Sequence, residues 1–334
     1  MEETKKKGRD SREWFSTFFM EYKVFLVLLI IVVGLGLMTD KFWRLQNISN
    51  VLRQVSINAI VALAFTLVLA IAEIDLSVGS VVGLSGIVMG FMLEDGRPLI
   101  LVLLAGLVVC ILCELCNAFL ITVFSLPAFI VTLATSNVFR GIIYVSTKMV
   151  PIYGLQGAFL TIGQGYVGVV PVPVIIMFVV FFVILYISKK TTFGRYAIAM
   201  GGNADAARAC GISTTRVRYG VFALMGACAA IASVIVTGRA ASAQVAAGSG
   251  MEMDAIAAVV IGGTSMSGGN ANVIGTLAGC LIVGVVNNGL NLLGVDSNWQ
   301  VIVKGLLILF AVILDAITSM TFKRSQLKKV SRRK

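Results

Sequence analysis

Histidine is absent from the 334-residue sequence, and charged residues make up only 13% of it. Without histidine, zinc sites, haem sites and proton relays lose their commonest ligand or carrier. No segment matches the G-x-x-x-x-G-K-[ST] loop that holds nucleotide phosphates, so we expect that the chain itself does not hydrolyse ATP. We therefore predict no catalytic residue, no metal ligand and no cofactor bound by this chain.

Two further patterns are missing. The first residues, MEETKKKGRDSREW, lack the cleavage pattern of a signal peptide and are expected to remain as a tail. The six cysteines form no disulfide framework, although Cys110, Cys113 and Cys116 recur every three residues in an apolar run. A metal or cluster site is one interpretation of this run. Small, soft residues on a helix-facing or lipid-facing stripe are the interpretation that we favour.

Apolar residues dominate what is present: 58% of the chain is hydrophobic and the mean hydropathy is +0.97. A membrane-spanning helix needs about 20 apolar residues, and the chain offers many such runs. The sequence predicts an all-α, polytopic membrane protein with about ten transmembrane helices, at 23–39, 54–72, 76–93, 98–123, 127–146, 171–188, 218–237, 252–264, 271–293 and 299–320.

The basic residues are concentrated in three places. Residues 1–23 hold six Lys or Arg, residues 189–218 hold six and residues 323–334 hold seven, together 19 of the 27. This is the pattern of cytoplasmic segments in a membrane protein rather than of a nucleic-acid-binding protein. We predict a cytoplasmic tail at 1–22, a transmembrane domain at 23–320 and a basic cytoplasmic tail at 321–334.

Two features of the predicted spans have open interpretations. Residues 252–264 are barely long enough to cross, so a re-entrant or broken helix is an alternative to a full span. Spans two to five and seven to ten are equal in number and run in opposite directions, which suggests the inverted repeat of many transporter folds.

The predicted outer face is mildly basic. We place the outward loops at Thr39–Arg53 and Thr147–Val170, and Arg97, Lys148 and Arg239 lie on the same side. These residues could meet acidic patches on a soluble partner outside the cytoplasm.

The longest polar interruption, 189–218, contains a short run with strong helix-forming residues. Ala204–Ala209 is preceded by Asn203 as N-cap and followed by Gly211 as terminator. A short capped helix on a basic loop is typical of a docking element for a soluble partner. An ordinary loop that fixes topology by its charge is the alternative.

Polar residues inside apolar runs are few. We expect Glu73, Asp75, Glu114 and Asp315 near the cytoplasmic ends of spans, where solvation of a charge costs little. Asparagine is the more telling residue, either as an interhelical hydrogen-bonding group or as the lining of a path for a hydroxyl-rich, uncharged solute. The candidates for such a path are Asn58, Asp75, Ser77, Asn117, Asn287, Asn288 and Asn291.

Several stretches in order resemble one family. These are IDLSVGS, LPAFIVTLAT, GRYAIAMGGNADAARACGI and, from Asp254 to Asp315, a segment with the pattern GGTSxxGG…GT…NNGLNLLG. Over residues 45–316 the chain resembles the permeases of bacterial ribose-type ABC importers. The resemblance implies a coupling helix for the ATPase at 202–211, with the contact residues Gly202, Asn203, Ala204, Asp205, Ala206, Ala207, Arg208 and Gly211.

The resemblance also implies a function. It predicts a multi-pass subunit of the bacterial cell membrane, with both termini cytoplasmic, that pairs with a second permease copy. A separate ABC ATPase uses ATP and Mg²⁺, and an extracytoplasmic binding protein delivers a monosaccharide. Alternatives are a same-fold permease for a nucleoside, autoinducer or branched-chain amino acid, an ion-coupled secondary transporter, or a membrane enzyme.

Overall fold

A computed structural model describes residues 24–296, 298–307, 309, 312 and 313. Both tails and Asp315 therefore lie outside the described residues. The helices are α1 (Val24–Met38), α2 (Leu45–Ala70), α3 (Val78–Glu94), α4 (Leu99–Val123), α5 (Ala128–Thr147), α6 (Ala158–Gln164), α7 (Val172–Lys190), α8 (Thr192–Gly202), α9 (Ala204–Ala209), α10 (Thr214–Ala240), α11 (Met251–Ile261), α12 (Val273–Leu292) and α13 (298–307).

Strand structure in this part of the chain is small. A two-residue strand β1 (Tyr166–Val167) pairs antiparallel with β2 (Val170–Pro171), and Ile152 forms an isolated bridge with Ala243. The prediction of a helical architecture is therefore confirmed, with this hairpin as an addition.

Six of the described helices are long and apolar enough to cross a membrane, namely α2, α4, α5, α7, α10 and α12. The apolar helices α1 and α3 are shorter. The chain is a polytopic helical membrane protein, whereas the count of ten crossings and the inverted repeat stay predictions.

Helix α2 lies at the centre of the bundle, where it packs against α7, α10, α11 and α12. It contains neither glycine nor proline, and it is buried almost continuously from Val55 to its end. The predicted span at 54–72 and the outward loop up to Arg53 are therefore wrong at this boundary. Nothing between Leu45 and Arg53 interrupts a helix, so Arg53 lies within α2 rather than in a loop.

Contacts between helix ends define two ends of the bundle. At one end, here called the basic end, Ala70 of α2 meets Gly201 of α8 and Arg218 at the start of α10 meets Glu73. At the other, here called the far end, the Gln164 amide donates to the carbonyl oxygen of Gly238 near the end of α10, over 3.2 Å. Helix α10 therefore runs from the basic end to the far end.

The chain returns from the far end by a broken crossing, which we define as residues 241–261. Residues 241–250 form no helix and lie along a glycine face of α3: Ala243 contacts Gly90, Ala247 faces Gly83 and Gly248 faces Gly79. From Gly90 to Gly79 this path covers about 16 Å of α3 at 1.5 Å per residue.

Helix α11 completes the return. With 11 residues it spans about 16 Å, too little to cross alone. Beyond its end, Gly268 lies beside Ala72 and Gly201 at the basic end. The predicted span at 252–264 corresponds to α11, which is itself continuous, and the non-helical stretch precedes it. Whether 252–264 spans fully or is re-entrant stays a prediction.

Helices α11 and α12 approach each other through glycines. A Cβ at Gly275 would overlap the Gly262 carbonyl oxygen, and one at Gly279 would overlap that of Ala258. Close backbone contact of this kind holds helices together in membranes, where no hydrophobic force acts between them.

We expect Gly275→Ala to lower the free energy of unfolding by about 1–3 kcal/mol, because the added methyl group overpacks this backbone contact. Thermal unfolding of the purified protein in detergent measures the change. Gly34→Ala on α1 is the matched control, because its Cβ would meet nothing within 4 Å. Equal melting temperatures for the two variants would contradict the contact.

Candidate functional site

The basic loop folds as two capped helices. The Thr191 hydroxyl accepts a hydrogen bond from the Gly194 amide over 3.2 Å at the start of α8. The Asn203 side chain accepts from the Ala206 amide over 2.9 Å at the start of α9. Gly211 has a φ of +82°, which suits glycine at a helix terminus. The short helix with its predicted cap and terminator is confirmed, whereas α8 was not predicted.

Helix α9 stands away from the bundle, whereas the end of α8 packs into it. A Cβ at Gly201 would overlap the Ala70 carbonyl oxygen, but a Cβ at Gly202 would have its nearest neighbour 3.9 Å away. Of the eight residues predicted to contact the ATPase, Ala207 is buried and Ala204 half-buried. The other six are exposed, so a soluble partner has access to them.

The two charged side chains of α9 are largely exposed and pair with each other. Arg208 Nη2 lies 3.2 Å from Asp205 Oδ1, and these side chains are 62% and 91% exposed, respectively. Arg208 Nε also donates to the Ala204 carbonyl within the same helix, over 3.4 Å. A cavity of about 330 Å³ separates α9 from the end of α4 and is lined by Thr122, Ser125, Arg208, Thr215 and Arg218, among others.

An ion pair joins this region to the helices behind it. Arg218 Nε, in the first turns of α10, donates to Glu73 Oε1 over 2.6 Å, and its Nη1 donates to Thr122 Oγ1 over 3.2 Å. The two charged side chains are only 21% and 9% exposed, respectively. The start of α10 is thereby tied to the α2–α3 junction and to α4.

The expectation that the acids at these helix ends are solvated is wrong for three of them. Glu73, Asp75 and Glu114 are buried, because neighbouring helices cover them instead of water. Asp75 Oδ1 accepts from the Ser77 amide at 2.8 Å and from its hydroxyl at 2.7 Å, immediately before α3. A carboxylate at this place suits a helix N-terminus.

A polar network extends from Asp75 to α4 and α5. The Asn117 amide donates to the Ser77 hydroxyl at 2.8 Å and to Glu114 Oε2 at 3.3 Å. The Thr135 hydroxyl donates to Asn117 Oδ1 at 2.7 Å. Three predicted path residues, Asp75, Ser77 and Asn117, therefore join helices α3, α4 and α5 inside one protomer.

The remaining predicted path residues lie at other helix contacts. Asn58 donates to Asp254 Oδ2 over 3.4 Å, beside an ion pair of Asp254 with Lys304 at 3.1 Å. Asn288 and Asn47 exchange hydrogen bonds of 2.8 and 3.1 Å.

The last two predicted path residues, Asn287 and Asn291, share a face of α12 but differ in exposure. Asn287 is buried, with no partner for its amide among the described residues, while exposed Asn291 accepts from Gln300 over 2.8 Å. The structure does not gather the seven predicted path residues into one site.

Sequence reasoning identified Arg140 as a charge inside a predicted span, but it missed the non-helical segment 241–250 that Arg140 contacts. Arg140 of α5 donates through Nη1 to the carbonyl oxygens of Val245 and Ala247, at 3.0 and 2.9 Å. Non-helical backbone at membrane depth needs such partners. The sequence signal for this non-helical segment is the run of small and polar residues ASAQVAAGSG at 241–250. Gly248 and Gly250 in this run adopt positive φ.

The outward faces of α4 and α5 are both largely apolar, but α5 also carries an exposed asparagine at mid-helix. On α4 the exposed residues at mid-helix are apolar, namely Leu104, Val108 and Leu112, as expected against lipid. On α5, exposed Asn137 lies near half-buried Ser136 and Arg140. Polar side chains at this depth are expensive against lipid and typically face a water-filled space or another protein surface.

No metal site emerges from the described residues, where groups of three or more His, Cys, Asp or Glu side chains that could hold an ion are absent. On α4, Cys110 is buried, Cys113 is half-buried and Cys116 is exposed, and all three thiols are free. Three different exposures agree with packing residues rather than a shared ligand set.

The described residues form a polytopic helical bundle with a projecting short helix, α9. A family model described as "Branched-chain amino acid transport system / permease component" matches residues 47–312. The ribose import permease of Bacillus subtilis strain 168 is 44% identical over 293 residues, covering 87% of this chain and 91% of that protein. The chain therefore belongs to the ribose-type ABC permease family.

Other relatives agree with this assignment. The ribose import permease of Haemophilus influenzae strain Rd is 43% identical over 313 residues, covering 92% of this chain and 97% of that protein. The D-allose transport system permease of Escherichia coli K12 is 35% identical over 307 residues, covering 91% and 94%. No solved structure matches the chain.

Proposed function

We propose that the chain is the transmembrane permease subunit of an ATP-binding cassette importer and translocates a ribose-like monosaccharide. The observation that carries this proposal is the 38–44% identity to ribose import permeases over nearly the whole chain. The description of the family model favours one second candidate, a branched-chain amino acid. The allose and xylose permeases among the relatives favour a sugar.

The proposed arrangement places the basic end in the cytoplasm. The Lys and Arg residues of the two tails and of 189–218 support this orientation. Ten crossings, formed by α1–α5, α7, α10, the broken crossing, α12 and α13, return both termini to the cytoplasm of a bacterial cell. The course of α10 from the basic end to the far end, and of 241–268 back again, agrees with this arrangement.

The proposed ATPase contact is α9 with its flanks. Exposure of Gly202, Asn203, Asp205, Arg208 and Gly211 supports this role. The ATPase partner supplies ATP hydrolysis, and this chain supplies the docking helix and the path.

The second permease copy is proposed to face α5 across the path. Exposed Asn137 and half-buried Ser136 and Arg140 at the middle of α5 support this position. The broken crossing packs against α5 through Arg140 and borders the same space.

The binding protein is proposed to dock at the far end, close to Arg53 and Arg239. Arg53 Nη2 donates to the Gln164 carbonyl oxygen over 2.7 Å, and its guanidinium lies 4.3 Å from the Tyr166 ring centre. A basic surface of this kind suits acidic patches on a soluble partner.

Reconstitution tests the proposed function. The permease is placed in vesicles with its ATPase and binding protein, and uptake of labelled ribose and of labelled leucine is measured with and without ATP. We expect ATP-dependent ribose uptake and no leucine uptake. Leucine uptake alone would favour the second candidate, and ribose uptake without an ATPase would refute the ABC assignment.

A further inference from the structure

Two ionisable side chains, those of Glu252 and Arg140, lie over the glycine face of α3. The Glu252 carboxyl group of α11 lies against Gly79, and Arg140 Nη1 lies close to Gly83. Gly79 and Gly83 are one helical turn apart, about 6 Å. Among the described residues the two side chains form no ion pair, although each is within the electrostatic reach of the other.

This pair lies deep in the bundle. Arg140 lies 12 residues after the first residue of α5, a distance of about 18 Å along the helix. Glu252 lies nine residues before the last residue of α11, a distance of about 14 Å along that helix. The hydrocarbon core of a membrane is about 30 Å thick, so both groups lie close to its middle. A half-exposed arginine and a half-exposed glutamate at this depth mark a functional site by default.

The surroundings of the pair are open and polar on one side. Asn137 of α5 and Ser249 and Gly250 of the broken crossing are exposed there. Ser80 and Ser136 hydroxyls lie 3.0 Å apart on the adjoining faces of α3 and α5. Discontinuous helices at mid-membrane depth commonly hold transported solutes in this manner.

The hydrogen-bonding capacity of the pair is incomplete. Arg140 uses Nη1 for Val245 and Ala247, and within the described part of the chain its Nε and Nη2 have no acceptor. A hydroxyl group both donates and accepts, so adjacent hydroxyls of one solute can donate to Glu252 and accept from Arg140. A cation would be repelled by Arg140, and an anion by Glu252 when it is ionised.

We propose that Arg140 and Glu252, held over the glycine face of α3, form a contact site for vicinal hydroxyl groups of a neutral polyol during translocation. The site rests on the proposed function and specifies where the path contacts its solute. Arg140 also positions the broken crossing, so its test requires a readout that a purely structural role would not change.

That readout is the number of ribose molecules taken up per ATP hydrolysed in the reconstituted complex. We expect Glu252→Gln and Arg140→Lys each to lower this ratio about tenfold, as loss of a charged hydrogen bond to the solute predicts. Lysine retains the charge and donors for the carbonyl oxygens but lacks the planar guanidinium, so Arg140→Lys is the mildest change at the broken crossing. Binding-protein-stimulated ATP hydrolysis should continue in both variants.

Asp254→Asn is the matched control, because Asp254 lies two residues further along α11 and pairs with Lys304 and Asn58 instead. Loss of that pair should lower uptake and ATP hydrolysis in parallel and leave their ratio unchanged. A parallel decline in Glu252→Gln and Arg140→Lys as well would overturn the contact site.

A second measurement combines the Glu252→Gln variant with solutes that lack single hydroxyl groups. Riboses that each lack one hydroxyl are delivered by the same binding protein to wild type and to Glu252→Gln. If Glu252 binds a hydroxyl, removal of that hydroxyl lowers the uptake per ATP of the wild type. It causes no further decrease in Glu252→Gln, which has already lost the contact. If removal of each hydroxyl lowered the uptake per ATP of Glu252→Gln by the same factor as that of the wild type, the contact would be refuted. This holds even when the wild type takes up ribose normally. A wild-type complex that carries only leucine would instead refute the proposed function, and the polyol site with it.

Discussion

Arg208→Glu is expected to abolish sugar uptake and sugar-stimulated ATP hydrolysis while the permease remains folded in the membrane. Among the residues that the structure describes, Arg208 bonds only to Asp205 and Ala204 of its own short helix, and exposed pairs of this kind contribute about 0–1 kcal/mol. Against a carboxylate of the ATPase, a charged hydrogen bond contributes about 1.5–3 kcal/mol, and reversal of the charge adds repulsion. ATPase activity in reconstituted vesicles, with binding protein and sugar present, measures the loss.

Arg195→Glu is the control for net charge, because Arg195 is an exposed residue of the same basic loop on α8. If the loop serves only to fix topology, the two reversals should have the same effect. Gly202→Leu should also uncouple the complex, because Gly202 is exposed and a larger side chain there would obstruct a partner, whereas Gly201→Leu should destabilise the isolated permease. Normal stimulation in both Arg208→Glu and Gly202→Leu would remove the docking role from α9.

The part of this site that the sequence predicts is the part set by local chemistry. Asn203 caps α9 and Gly211 ends it, and both signals depend on residues within a few positions of each other. Helix α8 was not predicted, because its place depends on close packing of Gly201 against Ala70, a contact between residues far apart in the sequence.

The broken crossing shows a second limit of sequence reasoning. Hydropathy identifies runs that suit lipid, but 241–250 is neither apolar enough for a span nor polar enough for an outer loop. Its depth depends on a glycine face of α3 that admits a backbone and on Arg140, which satisfies two of its carbonyl groups. Both are tertiary features of distant segments.

The burial of Glu73, Asp75 and Glu114 also depends on segments that are distant in the sequence. A sequence locates Glu73, Asp75 and Glu114 near span ends but does not show whether water or another helix covers them. The structure covers all three and supplies hydrogen-bond donors from α4 and α10. The family resemblance identified the permease class, yet it gave no reason to assign these residues to helix junctions.

The junction at Glu73 should be sensitive to removal of one partner of its ion pair. We expect Glu73→Ala to lower the free energy of unfolding by about 3–5 kcal/mol, because the largely buried Arg218 guanidinium loses its counter-charge. Thermal or denaturant unfolding of the purified permease measures the loss. A change below about 1 kcal/mol would show that the pair behaves as an exposed surface pair.

Removal of both charges separates the pair's contribution to stability from its contribution to coupling. Glu73→Leu combined with Arg218→Met should recover most of the lost stability, since apolar replacement of a whole buried pair is often neutral. The pair nevertheless joins the start of α10, which closely follows α9, to the junction that precedes α3. If movement of α9 reaches the helices around the path through this contact, the stable double variant should still hydrolyse ATP with reduced sugar uptake per ATP. Full recovery of that ratio together with stability would assign the ion pair to folding alone.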